Sequence, residues 1–198
     1  MILSNMIKIR TLAAIILSAT FSQWASAQTK VEREYRIKKN AVPENALTFI
    51  EECFPGSTVK WYREENTKGS FIEAKTIQSK TKYSIKFDSQ GNLQDTEQIV
   101  SFESLPTEAR DKIGDFLKTR FTKYRIVKIQ KQWLAAETTI KSLITTGKSD
   151  TRYETNFELE VRGTKDKDID FFEFLFNENG KLLKEYEIVQ KNTNNLIF

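Results

Sequence analysis

Histidine is missing altogether from the 198 residues, and cysteine occurs once. The first absence removes the side chain most used as a general base and as a metal ligand. The second excludes an intramolecular disulfide even in an oxidising compartment, so the core has to hold the fold without staples. Cys53 stands beside Phe54 in an apolar stretch and is expected to pack rather than react. No serine or threonine lies in a nucleophile context such as Gly-x-Ser-x-Gly. Glu51-Glu52 falls on a helix whose opposite face is apolar, which fits a solvated surface. The run Asp166, Asp168, Asp170 lacks the spacing and terminal Glu of a calcium loop. The chain is therefore expected to be no enzyme and to carry neither cofactor nor metal.

A long hydrophobic run is also lacking. Leu12 to Phe21 is the longest, about half the roughly 20 residues that span hydrocarbon. Lys8 and Arg10 precede it, and Ala25-Ser26-Ala27 follows as a small-residue cleavage pattern. Residues 1–27 therefore predict a secretory signal peptide, with Gln28 as the mature start and a periplasmic or secreted destination. No cysteine follows the apolar run, so no lipid anchor is expected, and no transmembrane segment remains after leader removal. Loss of Lys8 and Arg10 leaves 29 basic against 27 acidic residues, a net charge of +2. So slight a balance does not argue for nucleic acid.

What is present is a self-match. Phe87 to Val100 aligns without a gap to Phe176 to Val189, with Phe87/Phe176, Gly91/Gly180, Leu93/Leu182, Ile99/Ile188 and Val100/Val189 identical. Each segment reads as a strand, a Gly-containing hairpin turn and a returning strand. Tyr83, Ile85 and Phe87 alternate with polar residues, as do Phe172, Phe174 and Phe176 with their neighbours, the period of a strand with one buried face. Upstream, Pro43 and Pro106 each open a helical stripe, Ala46, Leu47, Ile50, Cys53, Phe54 in one and Ala109, Ile113, Phe116, Leu117, Phe121 in the other. Strands follow at Val59 to Arg63 and Tyr124 to Ile129, then around Ile72 to Lys75 and Tyr153 to Asn156. The pattern predicts an α+β fold of two tandem repeats, each one helix on an antiparallel sheet of about four strands. Repeat one spans 28–100 and repeat two 101–190, with a polar tail at 191–198. Without a Gly/Ser-rich linker the copies are expected to be rigidly joined, a continuous sheet being one arrangement.

The Pro-started helix, the Ile72-Glu73-Ala74-Lys75 strand and Tyr83-Ser-Ile-Lys-Phe-Asp-x-x-Gly-x-Leu93 resemble the PepSY-like proteins related in fold to the beta-lactamase inhibitor protein. The resemblance covers nearly all of residues 30–190, and its motifs are structural rather than catalytic. It implies small secreted bacterial proteins, often tandem, that bind or restrain other exported proteins, peptidases included.

One helix per repeat covers one sheet face, so the other face is either solvated or binds something. Strand alternation assigns Glu73, Lys75, Ser84, Lys86, Glu154, Asn156, Glu158 and Glu160 to the open face, with Phe171 and Leu175 among the acids. Trp61 and Tyr62 point to opposite faces of one strand, so one of them looks outward. The stretch 110–131 carries eight basic residues, including Lys123 and Arg125, with Tyr124 and Trp133 among or beside them. Its alternative use is attraction to anionic lipid or an acidic partner. The candidate partner-binding set is thus Trp61, Tyr62, Glu73, Glu154, Phe171, Leu175, Lys123, Arg125 and Trp133. Leu134 to Arg152 has no full counterpart in the first copy and reads as an inserted loop.

Overall fold

A computed structural model describes residues 28–30, 32–165 and 167–188. The expected leader and polar tail lie outside them. The elements run β1 (Gln28–Lys30), β2 (Arg33–Arg36), α1 (Glu44–Cys53), β3 (Val59–Asn66), β4 (Gly69–Gln78), β5 (Thr81–Phe87), β6 (Leu93–Ile99), α2 (Thr107–Arg120), β7 (Lys123–Leu134), α3 (Glu137–Thr146), β8 (Glu154–Lys165), β9 (Asp168–Asn177) and β10 (Leu182–Ile188).

The strands form one sheet in the order β1-β10-β9-β8-β7-β6-β5-β4-β3-β2. All pairings from β2 to β10 are antiparallel, and β1 joins β10 in parallel. This corrects the expectation of two repeats with a four-stranded sheet each. The halves are joined by backbone pairing of β6 with β7, Thr96 opposite Trp133 through Ile99 opposite Gln130. Residues 134–152, read as a loop, contain α3. Its buried Thr139, Ile140 and Leu143 pack beside α1, and Gly147 closes it in the left-handed conformation at φ 74°.

Three helices cover one face. The cross-strand row Trp61, Ala74, Ile85, Thr96, Trp133 belongs to it, as do Leu159 and Val161 on β8 and Phe172, Phe174 and Phe176 on β9. Two cores result. One gathers α1 and α3 over β3, β4, β5 and Trp133; the other gathers α2 over Ile129, β8 and β9. Phe116 of α2 meets Phe174 and Phe176 edge to face at 5.2 and 5.4 Å.

The self-match has a local structural counterpart. In both hairpins the first turn residue, Asp88 or Asn177, accepts two backbone N–H bonds of 2.9–3.0 Å, from Gln90 and Asn92 or from Asn179 and Lys181. Gly91 and Gly180 follow at φ 88° and 77°, each pressed on the first turn of its helix. A Cβ at Gly91 meets Pro43 at 2.8 Å, and one at Gly180 meets the Ala109 carbonyl at 2.8 Å, so both turns require glycine.

The sheet cannot be flat. β1 and β2 occupy opposite ends of the strand order, yet only residues 31 and 32 separate them. Nine inter-strand steps of about 4.8 Å would put those ends about 43 Å apart. The three virtual bonds from Lys30 to Arg33 span at most about 11 Å. The sheet therefore curls until its edges nearly meet, and β1 and β2, consecutive in the chain, clasp them. The two cores stay separate on the helix-bearing side, so that side is convex and the helix-free side faces inward.

Candidate binding face

The inward curl explains an unusual burial pattern. On the helix-free side Asn156 is 1% exposed, Glu64 5% and Glu173 6%, with Glu73, Gln130 and Gln132 also buried. Polar groups removed from water must find partners, and here most find one another across strands, the buried Asn156 Oδ1 excepted. Lys75 Nζ lies 2.7 Å from Glu34, 3.1 Å from Glu73 and 4.8 Å from the centre of the Tyr62 ring. The Ser84 hydroxyl donates to Glu73. Lys86 Nζ lies 2.8 Å from Glu64 and 5.9 Å above the Phe71 ring. Further along, the Gln130 carboxamide donates to Glu97, and Gln132 reaches Asp95 and Glu97 at 3.4 Å. Asn156 Nδ2 donates to Gln132 at 3.3 Å and to Glu154 at 3.0 Å, while Lys128 pairs with Glu160.

At the centre the acids are crowded together. Burial pushes the Asp95 carboxyl up to about 6; Lys86 opposes this, and Glu158, Glu73 and Glu64 reinforce it. Glu97 is driven well above the carboxylate range by burial first, then by Glu158 and Asp95. Burial alone would lower Lys86 and Lys128, yet both are raised by the carboxylates around them, chiefly Glu64 and Asp95 for Lys86 and Glu160 and Glu158 for Lys128. The floor of the face is therefore acid-rich, with ammonium groups held firmly charged within it.

Apolar groups stand along this floor. Phe171 lies opposite Arg162, and Leu175 opposite Glu158; both are half-buried on the helix-free side and outside either core. Glu73 is at the centre of the network, and Tyr62 is half-buried beside Lys75. Glu154 is exposed at the end of β8. Lys123 and Arg125 are exposed at the far end of β7, where Arg125 sits opposite Arg162. These seven of the nine sequence-derived candidates share one face.

Trp61 and Trp133 do not. Both lie in the cross-strand row beneath the helices, 5% and 6% exposed within the α1/α3 core, so neither is available to a partner on the helix-free face. Of the Trp61/Tyr62 pair it is the tyrosine that looks away from α1. The basic stretch is also no single patch. Lys112, Lys118 and Arg120 on α2 pair with Glu108, Asp115 and Glu185, whereas Lys128 points to the opposite side of the sheet. Sequence reasoning missed Asp95, Glu97, Gln130 and Gln132. Only the β6–β7 pairing, a contact between the presumed copies, brings them together.

Among the described residues no helix is long and apolar enough to cross a membrane, and no group of three potential metal ligands occurs. No family model matches the chain, nor does any curated protein sequence. Solved structures do resemble it. A DUF2874 family protein from Bacteroides ovatus aligns with a TM-score of 0.51 at 13% identity, over 74% of this chain and 87% of its own. A Bacteroides eggerthii protein, provisionally described as periplasmic, aligns with 0.51 at 10% identity over 78% and 94%. A BLIP-like protein from Bacteroides fragilis aligns with 0.49 at 17% identity over 77% and 91%. At these identities the likeness is one of fold. The tandem PepSY-like part of the resemblance read from the sequence has no counterpart among these neighbours.

Proposed function

We propose that the chain is an exported, non-catalytic binding protein that docks another exported protein on the helix-free inner face of its sheet and restrains it there. The observation carrying this reading is the placement of Phe171 and Leu175, two large apolar side chains outside the core, beside an acid-rich floor with charged lysines in it. A purely solvated sheet face has no use for them, whereas an apolar anchor within a polar, charged surround is the usual anatomy of a protein interface. Export rests on the leader pattern at residues 1–27, and the periplasmic description of the Bacteroides eggerthii neighbour agrees with it.

Attraction of the 110–131 stretch to anionic surfaces is the weaker reading, because Lys112, Lys118, Arg120 and Lys128 are already paired. Salt separates the two. Envelope extract is passed over the immobilised chain at about 0.01 M and about 0.15 M ionic strength, between which the screening length falls from ~30 to ~8 Å. A packed interface retains its partner at both. Retention at the lower strength alone would reject the inner-face reading in favour of surface attraction.

A further inference from the structure

A second site lies on the convex side, away from the inner face. Between α1 and β2, at the end of the sheet, there is a cavity of about 630 Å³. Leu47 and Ile50 of α1, with Phe54 just past its end, form one wall, Val59 and Trp61 of β3 the floor, and Ile37 the edge. Ile50, Phe54 and Trp61 are buried core residues, so the floor is rigid. The size suits a bound group of a few residues or a short chain.

The mouth is cationic. Arg36, Lys38 and Lys39 line it against a single acid, Glu51, and none of the three cations has an ion-pair partner among the described residues. This contrasts with the pairing of Lys75, Lys86, Lys112, Lys118 and Lys128 elsewhere. Two backbone donors stand in the same place. The Ile37 N–H donates to the Trp61 carbonyl at 2.9 Å, and Lys38 continues extended at φ −82°, ψ 152°. In an extended strand successive N–H groups point to opposite sides. Those of Arg36 and Lys38 therefore point away from β3, along the edge of β2 on which no further strand pairs among the described residues.

An apolar cavity, a mouth of unpaired cations and two outward N–H groups on an edge strand suit one chemistry. We infer that the α1/β2 groove binds the C-terminal end of an extended polypeptide, its bulky apolar last side chain in the cavity and its free carboxylate at the Arg36, Lys38 and Lys39 mouth. The peptide backbone adds to the edge of β2, the mode in which main-chain bonds give affinity and a pocket gives specificity. The charge is complementary, and Trp61 in the floor makes occupancy visible.

The probe is the pentapeptide Gly-Ser-Thr-Val-Phe with a free carboxylate, titrated into the purified exported chain while tryptophan emission is followed. The expected result is saturable binding with Kd below about 1 mM, at least tenfold weaker for the C-terminal amide of the same peptide. The double variant Lys38→Glu/Lys39→Glu, at two exposed positions, is expected to lose at least tenfold with an unchanged thermal midpoint. Leu175→Ala leaves this binding intact, so failure here is separable from failure of the inner-face reading. Equal affinity for acid and amide, no saturation, or tighter binding of dodecanoate than of the peptide would each overturn the proposal.

Discussion

Asp95 and its neighbours set the chemistry of the inner face at the scale of single residues. A carboxyl whose folded pKa lies above its unfolded value holds its proton more tightly in the fold. Its contribution to stability is then fully present below the unfolded value, about 4, and is lost as pH rises through the folded value, about 6 for Asp95. Asp95→Asn removes the charge and keeps an acceptor for Gln132. It should therefore stabilise the protein at pH 7.5 by on the order of 1–2 kcal/mol, with the gain vanishing near pH 4. Urea unfolding at the two pH values measures it, and a variant less stable at pH 7.5 would show that Lys86 outweighs the crowded acids. None of this was legible beforehand. Leu93-Gln-Asp-Thr-Glu-Gln-Ile99 is almost wholly polar, and nothing in it says that both its faces are enclosed.

Elements were far more legible. Helices α1 and α2 begin straight after the prolines that marked them, and the strand alternations are in the expected register. The Phe172/Phe174/Phe176 face lies under α2, with Phe174 fully buried between Phe116, Phe121 and its strand neighbours. Phe174→Ala should cost roughly 3–5 kcal/mol in denaturant unfolding; a loss below about 1 kcal/mol would contradict the register of β9. The element missed was α3. Its signal was present, Ile140, Leu143 and Ile144 at helical spacing with Gly147 behind them, but expecting one helix per copy hid it. Likewise the hairpin self-match is real, yet it reports a shared local solution, a side-chain-capped turn pressed on a helix start, and not separate sheets.

For the whole molecule the decisive fact is topological. Strand pairing between sequence-distant halves carries no local signature, so the β6–β7 pairing that joins the sheet and the clasp of its edges by β1 and β2 are legible only in the structure. That curvature turns a sheet face into a concave, acid-rich surface with the half-buried Phe171 and Leu175 along it. The central claim is that this surface holds a partner. The most direct measurement is the affinity of the envelope protein retained by the wild-type chain for Phe171→Ala and Leu175→Ala, read beside each variant's unfolding midpoint. The account predicts that each substitution weakens binding by more than about 1 kcal/mol, roughly fivefold, with the fold intact. Wild-type affinity in both variants would contradict it.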